Sequence, residues 1–384
     1  MKILYLTTSS LMLESFVLPL AKWLKTKGHN VEFACTDFMP RNQTPKINSL
    51  RGEGFIVHQL MFDYRVNLFK DLVAIIKIVK YLRKEKYDIV HIQSSKAGIL
   101  GRISSKIAKV PLVIYTANDF YYLESSLSKQ KKIVYLFAEK VAARFCDYLL
   151  FISRSVLEEA QKIKLKNDNK LIYIGPPIQN YRVFEKNNQI IDKIKIEFSI
   201  SDDELIIGCV ARLVQNKGID LFIDIVEKLD RLKINAKYVL VGDGPLYNEM
   251  TKKIKNAKLE NKIIMSGFIE NYNDVLNIMS TFDIFCLPTR REGFGLVFAE
   301  AMSYGIPVVG PNIKPICEFV ENNKSGLLCK PECVDDFVNK IKQLYENRNL
   351  RELIGKNGRD RICKIFDQEK YFQSHLEFYS NNYR

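Results

Sequence analysis

Phe282-Asp283-Ile284-Phe285-Cys286-Leu287-Pro288 is an almost wholly apolar run, and a short polar loop leads from it into Glu292-Gly293-Phe294-Gly295-Leu296-Val297-Phe298-Ala299-Glu300. The first run reads as a buried parallel strand, which places Glu292 in the loop leaving its carboxyl end. Residues Leu296 to Ser303 read as a helix. Its opening amides, beginning near Gly295, suit an anion, and Glu300, one to two turns in, can accept hydrogen bonds from vicinal hydroxyls. A phosphate and a ribose-like diol are the chemistry this pattern fits.

The same alternation of strand and helix runs outward in both directions, which predicts α/β architecture with parallel sheets covered on both faces. Strands are expected at Lys2 to Leu6, Val31 to Cys35, Ile56 to Gln59, Ile89 to Ile92, Leu112 to Thr116, Tyr148 to Ile152 and Leu171 to Ile174. A second series is expected at Leu205 to Ala211, Ala236 to Val241, Ile263 to Met265, Ile284 to Leu287, Val308 to Val309 and Gly326 to Cys329. A helix from Ser15 to Lys27 stops at Gly28. Another, from Phe69 to Lys84, carries Phe69, Leu72, Val73, Ile76 and Val79 on one face, a stripe suited either to packing on a sheet or, with Lys129 to Lys132 before the apolar Ile133 to Phe137 run, to an anionic membrane surface. The polar stretch after Gly175-Pro176-Pro177 marks the division. Two doubly wound, Rossmann-like domains are predicted, at 1–185 and 201–365, with 186–200 as linker. The segment 366–384 is rich in rings, Phe366, Tyr371, Phe372, Phe378 and Tyr379, which a helix docked back on the first domain would hide.

With 384 residues, 47% hydrophobic and 27% charged, the chain is long enough for two real cores. Residues 1–200 hold 32 Lys+Arg against 18 Asp+Glu and residues 201–384 hold 26 of each, so the first half carries the whole net charge of +14. That asymmetry points to an anionic partner for the first domain, the alternative being plain solvated lysines. No zinc-finger spacing and no aromatic-glycine RNA motif accompanies the charge, so nucleic acid is not expected. An anionic membrane surface or a phosphorylated substrate remains.

Eight cysteines lie scattered, several inside apparent strands, and read as buried free thiols of a reducing compartment. Cys329 and Cys333 have no histidine or second cysteine pair nearby, so no metal site is expected. The amino terminus enters a strand at once without the apolar region of a signal peptide. The most apolar helical stretch, Leu68 to Leu82, is broken by Lys70, Asp71, Lys77 and Lys80 and cannot span a bilayer. A cytoplasmic protein, peripheral at the inner face of the membrane, is the resulting expectation.

Two further loops follow strands of the second series: Ala211-Arg212-Leu213-Val214-Gln215-Asn216-Lys217-Gly218 and Val241-Gly242-Asp243-Gly244-Pro245. Both lie at carboxyl strand ends, where open α/β sheets bind ligands. Arg212 and Lys217, five residues apart across a turn, can converge on one diphosphate. The segment from Gly242 to Pro245 also has the chemistry of an ordinary turn.

With Arg212 and Lys217, the Val-Gly-Asp-Gly-Pro turn, and Glu292 and Glu300 within Glu-Gly-Phe-Gly…Glu-Ala-Met-x-x-Gly-x-Pro-Val-Val, the chain resembles the retaining glycosyltransferases of family 4 over essentially its full length. The resemblance implies the GT-B fold, two Rossmann-like domains facing across a cleft. It implies a nucleotide-sugar donor, by family frequency a UDP-sugar, with no cofactor and no metal required. Arg212 and Lys217 would then neutralise the diphosphate, Glu292 would contact the donor sugar and Glu300 the ribose. Gly242 and Asp243 would belong to the nucleotide site. Gly293, Phe294, Gly295 and Leu296 would bring backbone amides to the sugar and phosphate. A hexosyl or N-acetylhexosaminyl group would pass to an acceptor hydroxyl, on a polyprenyl-diphosphate-linked saccharide in surface polysaccharide or glycan assembly.

Two departures stand out. In Val113-Ile114-Tyr115-Thr116-Ala117-Asn118-Asp119-Phe120, Asn118 occupies the position where the family carries a histidine near the reacting centre. Asparagine keeps a hydrogen bond but neither becomes a cation nor titrates near neutrality. Either sugar recognition is altered in a working enzyme, or the protein is a catalytically weakened sugar-nucleotide binder. Thr7-Thr8-Ser9-Ser10-Leu11-Met12-Leu13-Glu14-Ser15 has no glycine where many relatives have a glycine-rich turn, leaving Ser9, Ser10 and Ser15 as hydroxyl donors or helix caps. His91 reads rather as a core histidine at a strand end. A nicotinamide oxidoreductase is excluded because no Gly-x-Gly-x-x-Gly fingerprint follows a first strand.

Overall fold

Near-continuous apolar runs such as Ile3-Leu4-Tyr5-Leu6, all fully buried, become strands covered on both faces. A computed structural model describes residues 1–36, 46–60, 66–124, 127–176 and 184–383. The chain divides into two units, Met1–Gln179 with Gln368–Arg384, and Asn180–Asp367. In the first unit β1 (Lys2–Ser9), β2 (Asn30–Thr36), β3 (Val57–Gln59), β4 (Ile89–Gln93), β5 (Leu112–Ala117), β6 (Tyr148–Phe151) and β7 (Leu171–Tyr173) form a parallel sheet ordered β3-β2-β1-β4-β5-β6-β7. In the second, β8 (Leu205–Val210), β9 (Ala236–Val241), β10 (Ile263–Gly267), β11 (Ile284–Cys286), β12 (Val308–Pro311) and β13 (Leu327–Cys329) are parallel in the order β10-β9-β8-β11-β12-β13.

Each order reverses once, between β1 and β4 and between β8 and β11. Crevices for ligands open at such reversals, outside the carboxyl ends of the strands. In the second unit Ile284 lies opposite Ile207 and Phe285 opposite Gly208, so the loops leaving β8 and β11 emerge side by side.

Several local expectations change. The helix Leu68–Glu85 forms, started by Asn67, whose side chain accepts from Lys70 N. Its buried residues are Ala74, Ile78, Val79 and Leu82, whereas Phe69, Leu72, Val73 and Ile76 of the apolar stripe are exposed, so of its two expected roles sheet packing does not hold for these four. Helical periodicity locates an apolar stripe but not the side from which the sheet approaches. Segment 186–200, expected as the linker, carries the helix Asn188–Glu197 inside the second unit, with Ile194 buried. Of the cysteines, Cys317 is exposed and Cys333 and Cys363 are half-buried, the other five being buried free thiols.

The helix Gln368–Asn382 belongs to the first unit, burying Tyr371, Phe372, His375 and Tyr379. Phe372 packs on Trp23, 5.7 Å between ring centroids. The Tyr379 hydroxyl joins a buried chain: it lies 2.7 Å from the Tyr5 hydroxyl and 2.6 Å from His91 Nδ1, while His91 Nε2 lies 2.6 Å from Thr116 Oγ1. His91 is thus a core histidine, held neutral by burial well below its usual pKa. Tyr379→Phe leaves two buried polar groups short of a partner and is expected to cost about 1–3 kcal/mol, read by urea denaturation. An unchanged midpoint would show that the chain of hydroxyls contributes nothing to docking this helix.

Candidate active site

The loop after β8 turns through the short 3-10 helix Gln215–Lys217 into Gly218, which starts the helix Ile219–Arg231 at φ 64°. A Cβ on Gly218 would lie 2.0 Å from the carbonyl oxygen of Pro288, so the loops after β8 and β11 touch where only glycine fits. More contacts tie them together. Asn216 O accepts from Arg290 N at 2.7 Å and from Thr289 Oγ1 at 2.9 Å. Arg290 Nη1 donates to Gln215 O at 2.8 Å.

Arg290 is itself held by Asp220 in a two-pronged pair, at 2.8 and 2.6 Å, and by Glu332 at 2.6 Å. Despite Asp220's partial burial, the Arg290 hydrogen bonds keep its carboxyl below the usual range. The result of this clamp is the pair it presents: Lys217 Nζ donates to both oxygens of Glu292, at 2.6 and 2.7 Å. The Glu292 side chain is only 6% exposed, so this ammonium is the counter-charge of a nearly buried carboxylate. Arg212, earlier on the same loop, is exposed.

Beyond Glu292 the chain is pinned from below. Phe294 is buried, stacked on Phe319 at 5.0 Å and edge-on to Phe366 at 5.5 Å. Its backbone carries the loop and its ring is anchored in the core. Gly295 follows at φ 93°, where a Cβ would lie 2.5 Å from Ile316 Cδ1, and it starts the helix Leu296–Ser303. No side chain caps that helix; Phe298 N donates to Gly295 O at 3.0 Å, which leaves the amides of Leu296 and Val297, beside Glu292, as the helix's open donors.

Glu300 lies in the same helix, 2% exposed, and accepts a 2.6 Å hydrogen bond from the Tyr272 hydroxyl. Burial pushes its carboxyl up to about 7, against the lowering effect of Tyr272. Gly242 and Asp243 sit at the end of β9: Gly242 N donates to Gly267 O, and Asp243 O accepts from Leu213 N at 3.0 Å. This turn therefore supports the loop that carries Arg212.

Asn118 belongs to the first unit, half-buried just past β5. At the reversal point of that unit, Thr8 Oγ1 lies 2.6 Å from Ser94 Oγ, and Ser94 Oγ also accepts from Thr8 N at 3.0 Å. Ser9 and Ser10 serve the backbone, accepting from Leu11 N and Lys46 N. Residues that the sequence reading missed are Arg290, Asp220, Thr289 and Tyr272. Only the adjacency of Arg290 and Arg291 to Glu292 signals the first of these in the sequence; the others become visible through space.

Crevice-lining loops of this kind on a pair of parallel sheets match a known group of enzymes. The model for "Glycosyltransferase Family 4" matches residues 13–178, and that for "Glycosyl transferases group 1" matches residues 190–361. The chain belongs to the family 4, group 1 glycosyltransferases.

Among its relatives is the UDP-Gal:alpha-D-GlcNAc-diphosphoundecaprenol alpha-1,3-galactosyltransferase of Escherichia coli, 30% identical over 307 residues, 79% of this chain and 77% of that one. The capsular polysaccharide biosynthesis glycosyltransferase CapM of Staphylococcus aureus is 28% identical over 318 residues, 82% of each chain. The crystal structure of Anabaena HepE with UDP and glucose superposes with a TM-score of 0.84 over 99% of both chains, at 22% identity. The fold is GT-B.

Proposed function

We propose that the protein transfers a hexosyl or N-acetylhexosaminyl group from a UDP-sugar to a hydroxyl of a polyprenyl-diphosphate-linked saccharide, with retention of configuration. The observation that carries this reading is the Lys217–Glu292 pair beside the uncapped start of the helix Leu296–Ser303. Lys217 has a third N–H to offer a phosphate, and the helix amides add donors for the same anion. As the bond to the sugar breaks, negative charge grows on the diphosphate, and Arg212, Lys217 and these amides stabilise it. Glu292 accepts from donor-sugar hydroxyls and Glu300 from the ribose. Gly293, Phe294, Gly295 and Leu296 give the backbone its close approach. Gly242 and Asp243 support the nucleotide loop.

Asn118 supplies an amide where the family has histidine, which favours altered sugar recognition over lost activity because Arg212, Lys217 and the helix start at Gly295 are all present in the second unit. The lipid-linked acceptor is supported by the acceptor named for the Escherichia coli relative and by the cationic first half of the chain. An anionic membrane at the cytoplasmic face is the corresponding location. Among the described residues no helix is long and apolar enough to cross a membrane.

The test is calorimetric titration of UDP as a function of pH. Only the ionised Glu300 accepts both ribose hydroxyls, and its carboxyl titrates at about 7. UDP affinity is expected to rise about tenfold between about pH 6 and about pH 8, and Glu300→Gln flattens the profile. Stability runs the other way. The folded chain holds this proton more tightly than the unfolded chain, so this group's contribution falls as pH rises towards about 7. A UDP affinity independent of pH in the unaltered protein would remove Glu300 from the ribose.

A further inference from the structure

The helix Leu68–Glu85 exposes Leu68, Phe69, Leu72 and Ile76, between 48 and 85% each. The helix Lys129–Ala143 exposes Ile133, Val134 and Phe137, between 64 and 68%. On the second helix these three point away from the buried Glu139, Ala142 and Ala143, about half a turn round the axis at 100° per residue. Both helices are crossovers between parallel strands that step in one direction across the sheet, β3 to β4 and β5 to β6. Right-handed connection therefore puts them on one sheet face. The exposed residues all fall within the first nine residues of their helices and so lie toward the same end of the sheet.

Lysines border these apolar residues. Lys77, Lys80 and Lys84 on the first helix and Lys129, Lys131 and Lys140 on the second are exposed. Among the acids, Asp71 is engaged by Lys96 at 2.7 Å, and Glu139 is buried with Arg102 at 2.8 Å. A second copy of the chain fits this surface poorly, because two-fold pairing would set one lysine border against the other. An anionic bilayer meets both features at once, phosphates for the ammonium groups and acyl chains for the rings and branched side chains.

We propose that the first unit docks on anionic lipid by inserting the exposed apolar residues of these two helices between headgroups, with the bordering lysines on the phosphates. This deepens the membrane-acceptor reading and rests on it, adding that attachment is by apolar insertion and not by charge alone.

The test is sedimentation of the full-length protein with sucrose-loaded vesicles of phosphatidylglycerol and phosphatidylcholine, at low salt and at about 1 M salt, where screening extends only about 3 Å. The unaltered protein is expected to remain bound at high salt. Phe69→Ser with Phe137→Ser is expected to lower partitioning at least tenfold at both salt concentrations. Replacing Lys129 and Lys131 by Gln should lower it only at low salt, by about fivefold per lysine.

Complete release of the unaltered protein at high salt would overturn insertion, as would equal partitioning of the double serine variant. Loss of a dimer in that variant, by sedimentation velocity, would assign the face to a second copy instead. Release of UDP from a UDP-sugar in the presence of a detergent-solubilised polyprenyl-diphosphate-linked saccharide, measured in parallel without vesicles, separates the two readings. Turnover without vesicle binding sinks the docking alone, and vesicle binding without turnover sinks the transferase alone.

Discussion

Lys217→Ala is expected to lower kcat/KM for the sugar donor by about a hundredfold or more, because two losses coincide. The diphosphate loses a charge-assisted hydrogen bond, worth about 1.5–3 kcal/mol. Glu292, whose side chain is 6% exposed, loses the ammonium bonded to both of its oxygens. An uncompensated carboxylate at that depth either takes up a proton or pulls the loop toward water, and either outcome spoils its contact with the donor sugar. Glu292→Gln keeps the shape and removes the charge. In a double-mutant cycle the two substitutions should therefore be strongly non-additive, the second costing little once the first is made. Additive losses in initial-rate measurements would mean that the two groups act separately and that their pairing is incidental.

The second large effect is at a residue that lies behind the site. Arg290→Ala cuts the two-pronged bond to Asp220, the bond to Glu332 and the bond to the carbonyl of Gln215. What remains between the Lys217 loop and the Glu292 loop includes backbone pairing at Asn216, the Thr289 hydroxyl and the Lys217–Glu292 pair itself, none of which anchors the loops from behind. Misplacement of a catalytic group by about 1 Å costs on the order of a hundredfold. Turnover is therefore expected to fall between about tenfold and a hundredfold. Lys in place of Arg290 should recover only part, since it cannot reproduce the planar fork. A readout specific to positioning is kcat: it should fall more than the affinity for UDP. Equal losses in both would indicate direct phosphate binding by Arg290, and wild-type kinetics would show that the clamp is dispensable.

What was legible in the sequence and what was not divides along physical lines. Strands buried on both faces announce themselves as short apolar runs, and each strand predicted from such a run lies within a few residues of an observed one. Lys217 and Glu292 were readable as site candidates because each sits a few residues past a strand end. Their pairing was not, being separated by 75 positions and joined only through the adjacency of β8 and β11.

Asp220 and Arg290 were missed for the same reason: a charged residue opening a helix and another in a loop look like solvated surface until the loops are brought together. On the Leu68–Glu85 helix the sequence shows the apolar stripe but leaves sheet packing and membrane contact both open; the buried arc is the neighbouring one, with Ala74 and Ile78. Phe294 reads in the sequence as loop backbone near the ligand, and what only the structure shows is that its ring anchors that loop on Phe319 and Phe366.

The central claim is that Lys217 and Glu292, beside the start of the helix Leu296–Ser303, hold a UDP-sugar for transfer. Its most direct test is UDP release from a panel of UDP-sugars with a polyprenyl-diphosphate-linked saccharide, comparing the unaltered protein with Lys217→Ala. At least one donor should be consumed with sugar appearing on the lipid, and the variant should lose about a hundredfold of that rate. The account is contradicted if UDP binds equally to both proteins while neither moves sugar from any donor.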